Sequence, residues 1–464
     1  MLDKLPPTVI TLFGVSGDLA GRKVLPALYH LVKDGLLPKN FRVIGTTRQR
    51  MTKADILKTT ELCILEKDKV CDPKVMKEFN DIFEVIQFDP VNIEDYEKLK
   101  IRLDRLEVEA GVCFNRIFYL SIPPQVYGPI IRNLGQSNLS KNCKHDTGKS
   151  RLLVEKPFGY DLKSAKTLIK ETSKHFKEEQ IFRIDHYLAK ETAQNILAFR
   201  RHNPLFNEVW NNKLIKSIQV RALEKLTIEG RSNFYDNVGA LRDIIQSHLL
   251  QLMAITTMDI PDDISSPVEI HKEKIKLLSK VSLAKYKATT RGQYQTYKEE
   301  TENKDSSTET YAKLQLEIKN KRWAKVPIIL ETGKALKEKR NEVIIDFSES
   351  THELSNQLTI RIQPNEGIDI KLNVKKPGFE NSMQPASMDF NYQDAFKGSG
   401  HPEAYERVIV DAIRGDQSLF ASNQEVIRSW EILQPVISKW SEYNGDLVIY
   451  ANGSEGPIDR NLVK

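Results

Sequence analysis

With 464 residues, 40% hydrophobic and 28% charged, the chain has the composition of a soluble globular protein of about two or three domains. A net charge of +6 suits a small anionic ligand, and without any Lys/Arg block interleaved with aromatics it argues against nucleic acid. No apolar run approaches the roughly eighteen residues of a membrane span. The start, Met1 to Pro7, has no basic stretch leading into a long apolar one, so a cytoplasmic protein is expected.

Thr8 to Phe13 is a short apolar run of the buried parallel-strand type, ended by Gly14, and Ala20 to Val32 reads as a helix broken at Gly35. Between them lies Gly14-Val15-Ser16-Gly17-Asp18-Leu19-Ala20-Gly21-Arg22-Lys23. Glycines here let the backbone approach a pyrophosphate, and the helix start supplies N–H donors. The spacing departs from G-x-G-x-x-G, and a purely structural tight turn has the same signature. A second strand, Phe41 to Gly45, runs into Thr46-Thr47-Arg48-Gln49-Arg50. No carboxylate stands there for a ribose 2′-hydroxyl, whereas Arg48 can pair with a 2′-phosphate, which favours NADP over NAD.

Further strands are expected at Phe83 to Gln87, Arg116 to Leu120, Arg151 to Val154 and Gln180 to Ile184. Their alternation with helices predicts a parallel, doubly wound sheet. Glu155-Lys156-Pro157-Phe158-Gly159 follows one strand's carboxyl end, where ligands sit in such sheets. Pro157 either stops the strand or carries a cis bond beside a nicotinamide. Four cysteines (Cys63, Cys71, Cys113, Cys143) form no CxxC pair and have no nearby histidine at ligand spacing. Neither zinc nor a disulfide framework is expected, and reduced thiols fit the cytoplasm.

The stretch Arg183-Ile184-Asp185-His186-Tyr187-Leu188-Ala189-Lys190-Glu191 puts an acid, an imidazole and an ammonium within six positions. In a helical turn His186 and Lys190 share a face, either as a solvated surface or as a clamp for a dianionic phosphate. Beyond residue 185 helical stretches (190–203, 238–257, 267–283) give way to alternating strands: 216–221, 311–318, 342–347, 358–362 and 368–374. These predict an antiparallel sheet with one covered face. Residues 298–307 are polar and charge-rich, an expected exposed loop or disordered segment. The expectation is an α/β Rossmann-type domain over 1–184, followed over 185–464 by an α+β domain with a large antiparallel sheet and helices.

Within 233–251, Asp243 and His248 lie five apart on an expected helix, roughly a turn and a half. A histidine oriented by a carboxylate is what a hydroxyl-oxidising enzyme needs as base, although a histidine in so apolar a helix also reads as satisfied core.

These segments, in this order, resemble the glucose-6-phosphate dehydrogenase family. The likeness continues through Val326 to Leu336, Arg361 to Glu366, Lys375 to Gly378 and His401 to Arg407. The resemblance implies a Rossmann domain, a large antiparallel-sheet domain, and a homodimer or homotetramer formed through that sheet. It implies that His248 accepts the C1 hydroxyl proton of glucose 6-phosphate and that Asp185 orients it. His186, Tyr187 and Lys190 would bind the 6-phosphate, and Glu224 and Asp243 the sugar hydroxyls. Lys334 and Lys339 match basic substrate contacts, and Lys23 and Lys156 would bridge sugar and cofactor. Gly14, Ser16, Gly17, Asp18 and Leu19 would lie against NADP, with Arg48 on its 2′-phosphate. No metal is implied.

Three positions depart from the family pattern. Ala189 replaces a usual Gly, Ser247 a common Asn, and Glu331 a usual Arg before Gly333-Lys334. A carboxylate at 331 would oppose an anion locally. With no tyrosine after Glu366, it also argues against the second, structural NADP site of some members. Two rival readings are a hexose-6-phosphate dehydrogenase using both NAD and NADP, and a non-catalytic NADP-binding protein on the same fold; the second should have lost the base or the clamp.

Overall fold

The computed structural model describes residues 5–143, 148–284, 288–348, 355–397, 402–443 and 445–457; Met1 to Lys4 and His401 lie outside them. The chain forms two compact units, 1–189 with 402–423, and 190–401 with 424–464.

The first unit is built on β1 (Thr8–Phe13), β2 (Phe41–Thr47), β3 (Phe83–Gln87), β4 (Asn115–Leu120), β5 (Ser150–Val154) and β6 (Ile181–Arg183). Their order is β3-β2-β1-β4-β5-β6 with every neighbouring pair parallel, the doubly wound arrangement the alternation predicts. All residues of β1 and β5 are buried, which is why these runs are apolar without alternation. The chain returns to this unit late. Helix Ala404–Arg414 lays Val408, Ile409, Ala412 and Ile413 into the same core as Leu12, Leu28 and Ile117. Arg151 donates to the carbonyls of Ala412 and Ile413 at 2.7 Å each, and Ile184 pairs with Phe420.

The cysteine expectation is corrected here. Cys113 and Cys143 are joined by a disulfide, with Cα atoms 6.3 Å apart. They precede the adjacent strands β4 and β5, so sheet pairing brings together residues 30 apart in sequence. Cys63 and Cys71 are free.

The second unit contains β7 (Ile215–Leu223), β8 (Val281–Leu283), β9 (Thr289–Tyr294), β10 (Tyr311–Ile318), β11 (Ile328–Gly333), β12 (Arg340–Phe347), β13 (Gln357–Gln363), β14 (Gly367–Lys375), β15 (Met383–Asn391) and β16 (Leu447–Tyr450). The order is β15-β14-β13-β12-β7-β11-β10-β9-β16, with β8 on β10. The sheet is mostly antiparallel, but β7 with β11 and β9 with β16 run parallel, so it is mixed. Helices Glu191–His202, Leu250–Thr257, Pro267–Leu278 and Asn423–Glu442 accompany it.

Three local expectations change. Residues 185–189 are turns, not helix: Asp185 accepts the Tyr187 N–H at 3.0 Å, Leu188 donates to the Asp185 carbonyl, and Lys190 is extended before the helix starts at Glu191. The 267–283 helix stops at Leu278 and the chain becomes β8. Residues 298–307 are ordered, because the Asp236 carboxylate accepts bonds from Tyr297, Asn303 and Ser306. Among the described residues no helix is long and apolar enough to cross a membrane, and no group of side chains forms a metal site.

Candidate active site

In the first unit the chain leaves β1 through Gly14 at φ 82°, where a Cβ would sit 2.4 Å from Ile122 and 2.7 Å from the Ser121 carbonyl. Only glycine tolerates that combination. Gly14 and Val15 donate to the Thr46 carbonyl, Gly17 donates back to Gly14, and a π-helix, Ala20–Val24, follows. Gly14, Ser16, Gly17 and Arg48 line one cleft, with a volume of about 200 Å³, together with Thr47, Gln49 and Ser121. Asp18 and Leu19 do not line it: Asp18 pairs with Arg22 at 2.6 Å and Leu19 packs on the core. Lys23 is exposed on the π-helix.

The residues fit a dinucleotide phosphate. Glycines at 14 and 17 bring the backbone to the cleft, the turn leads directly into a helix, and Arg48 is exposed. Ser121 adds a buried hydroxyl with no hydrogen-bond partner among the described residues. Sequence reasoning missed Ser121; its position beside the Pro123-Pro124 stop after β4 was the available signal.

At the carboxyl end of β5, Glu155 is 7% exposed, and the Lys156–Pro157 bond is cis. Tyr119 donates to the Glu155 carboxylate at 2.7 Å, and Tyr405 bonds it too. Burial pushes the Glu155 carboxyl up to about 7. Beyond β6, Asp185 and Tyr187 are buried and His186 is half-buried. The His186 ring lies 5.1 Å from that of Tyr187 and 6.5 Å from that of Tyr405, nearly parallel to the latter.

The second unit holds the remaining candidates. His248 is fully buried on a nine-residue π-helix, Leu241–Leu249. Five residues close one hydrogen-bonded turn of a π-helix, so Asp243 and His248 are one turn apart, not a turn and a half. Glu309 accepts the Leu241 N–H at 3.0 Å, anchoring the start of that helix. The Lys334 ammonium pairs with Glu224 and lies 5.3 Å from the centroid of the Tyr235 ring. The Tyr235 hydroxyl is buried with no hydrogen-bond partner among the described residues, and burial, then Asp243, raise its pKa well above the usual. Tyr235 is a second residue sequence reasoning missed. Lys190 donates to the Gln363 side chain, and burial foremost, then the exposed Lys339, lower its pKa to about 8.

Residues 11–195 match the glucose-6-phosphate dehydrogenase NAD-binding domain, and 197–463 match the C-terminal domain of the same enzyme. The chain belongs to the glucose-6-phosphate dehydrogenase family. Glucose-6-phosphate 1-dehydrogenase of Chlamydia muridarum is 38% identical, with 98% of this chain and 95% of that protein covered. The Bacillus subtilis enzyme is 36% identical over 99% and 97%. A solved glucose-6-phosphate dehydrogenase in complex with its substrate glucose 6-phosphate superposes with a TM-score of 0.91 at 34% identity, covering 97% of this chain and 96% of that one.

The family's usual residues make the three departures informative. Ala189, where a glycine is usual, is 1% exposed and its methyl joins the core. Ser247 donates to the Asp243 carbonyl at 3.2 Å within its own helix. Glu331 pairs with Arg221 at 3.0 Å and accepts from Tyr311 at 2.7 Å.

Proposed function

We infer that this chain oxidises D-glucose 6-phosphate at C1 to 6-phospho-D-glucono-1,5-lactone, the first step of the oxidative pentose phosphate pathway, with NADP as hydride acceptor. The observation that carries the reading is the match to both family domains across nearly the whole chain. Retention of Asp185, His186, Lys190, Asp243 and His248 disfavours a non-catalytic relative.

The C1 hydroxyl has little acidity at neutral pH, so losing hydride from C1 requires a base that takes its proton. His248 is that base, and Asp185 is the carboxylate that holds its tautomer. NADP, when bound, supplies the nicotinamide C4 that takes the hydride. His186, Tyr187 and Lys190 hold the 6-phosphate, Glu224 and Asp243 the sugar hydroxyls, and Lys334 and Lys339 add positive charge. Lys23 and Lys156 bridge sugar and cofactor. Gly14, Ser16 and Gly17 follow the dinucleotide, Asp18 and Leu19 open the helix behind them with their backbone N–H groups towards it, and Arg48 meets the 2′-phosphate. A phosphate clamp remote from C1 turns binding energy into fixed geometry at the reacting carbon.

A homodimer or homotetramer through the second unit's sheet is part of the proposal. Leu372, Val374, Met388 and Phe390 expose apolar side chains on one face of β14 and the edge strand β15, a surface that a second copy would cover. A cytoplasmic location goes with a reaction that draws on sugar phosphate and NADP.

The test is the absorbance of reduced nicotinamide with glucose 6-phosphate, comparing NADP with NAD and free glucose. Fast reduction with NADP and little with glucose is expected. Reduction with NAD alone would remove Arg48 from its role, and equal use of both would favour the dual-cofactor reading.

A further inference from the structure

Resting on that reading, we propose that Glu155 is a positioning residue for the substrate phosphate: its carboxylate ties down the Tyr405 ring against which His186 stacks. Three tyrosines converge on residue 155. Tyr119, from β4, donates to its carboxylate at 2.7 Å, Tyr127 donates to its backbone carbonyl at 3.0 Å, and Tyr405, from the returning helix, bonds the carboxylate. A carboxylate this deep is costly unless something uses it, since phenylalanines around an apolar side chain would fill the same space without desolvating a charge.

Its use is visible in the geometry of Tyr405. A phenol held at its hydroxyl end cannot swing, and its face lies at 15° to the His186 imidazole with centroids 6.5 Å apart. Tyr187 bounds the same imidazole, with centroids at 5.1 Å and planes at 59°. An imidazole that donates to a phosphate must point one N–H at it, so ring orientation sets the strength of the contact.

The carboxylate also titrates near neutral pH. Its value is raised to about 7, with burial the largest cause and Asp185 a smaller one in the same direction, against the opposing pull of the two phenols and Lys156. The ionised form accepts from both phenols. The protonated form carries an O–H of its own and accepts more weakly, so the hold on the two phenols loosens. Hold on the substrate phosphate therefore weakens as pH falls through about 7. The His186 imidazole and the substrate phosphate are titratable groups as well, but both are present unchanged in a variant that lacks the Glu155 carboxyl.

The experiment measures KM for glucose 6-phosphate, kcat and KM for NADP against pH, in the full-length enzyme and in Glu155→Gln, Tyr405→Phe and the double variant. Each single change is expected to raise KM for glucose 6-phosphate about tenfold while kcat and KM for NADP stay within about threefold. The double variant should be no worse than either single one, because the two side chains act as one unit. Glu155→Gln should also lose the part of the KM rise that the wild type shows below about pH 7. Unchanged KM, additive losses, or a pH profile identical to wild type would overturn the proposal. If Glu155→Gln does not fold, Tyr405→Phe decides alone through KM. A wild-type enzyme inactive on glucose 6-phosphate would instead sink the proposed function.

Discussion

The Asp185 carboxylate accepts the backbone N–H of Tyr187 at 3.0 Å. This Asx-type bond turns the chain directly after β6 and leaves Asp185 3% exposed. One oxygen shapes the turn, while the negative charge serves the proposed base, so the two functions separate by mutation. Asp185→Asn keeps an acceptor oxygen and should melt within a few degrees of wild type, yet lose about two to three orders of magnitude in kcat. Asp185→Leu removes both and should also lower the melting temperature. Full activity in Asp185→Asn would leave Asp185 a purely structural role.

His248 stands on a π-helix whose first N–H is held by Glu309. His248→Asn should cost about three orders of magnitude or more in kcat while NADP binding, read by titration, is spared. Loss of NADP binding with chemistry retained would show that the role given to His248 is wrong.

The strands of the first unit were legible because burial on both faces favours largely apolar runs, most fully in β1, while the edge strand β3 is only partly buried and keeps polar residues. The glycine turn, Arg48 and the candidate base were legible as residue types at characteristic spacings. What was not legible depends on partners distant in sequence. The His186–Lys190 spacing fits a helix, but Ile184 pairing with Phe420 prolongs the extended chain and the Asp185 turn follows. The Cys113–Cys143 bond needs β4 beside β5, and the parallel pairing of β7 with β11 needs the excursion between them. A boundary after 184 had no means of including 402–423, whose apolar helix face reads locally like any other. Glu155 was legible only as part of a motif at a strand's carboxyl end, and its shifted carboxyl, like the buried hydroxyl of Tyr235, is created by burial.

Lys190 gives the alkaline limb of the pH profile. Burial first, then repulsion from Lys339, lowers its pKa to about 8, with Glu366 opposing. Its ammonium is present below that value and lost above it, so kcat/KM for glucose 6-phosphate should fall as pH rises past about 8. Lys190→Arg, which stays charged, should move that fall to higher pH. An unmoved limb would assign the titration to another group.

His30 gives a stability prediction of definite sign. Its imidazole lies 2.8 Å from Glu406 on the returning helix and 2.6 Å from Asp68. The Glu406 hydrogen bond foremost raises its pKa, against burial. A raised folded-state value means the stabilisation is complete below the ordinary value of about 6.5 and fades as pH climbs through the folded one. The urea midpoint should therefore be higher near pH 6 than near pH 8.5, by an amount equivalent to about 1 kcal/mol. His30→Gln should flatten that difference. An unchanged slope would mean the imidazole gains nothing from its two carboxylates.

The disulfide is testable by counting thiols. Cys113 and Cys143 enclose a loop of 30 residues, for which loop-closure entropy gives about 3–4 kcal/mol. Protein kept under oxidising conditions and then denatured should expose two reactive thiols, Cys63 and Cys71, and reductant should raise the count to four. Reduction should lower the melting temperature by several degrees, and Cys113→Ser should remove that dependence. Turnover should be indifferent to it, because the bond lies at the amino ends of β4 and β5, whereas Ser121 and Glu155 follow their carboxyl ends. In a reducing cytoplasm the same pair stays as thiols, and the two strands then rely on their ladder alone. Four reactive thiols under oxidising conditions would mean that the pair does not bond.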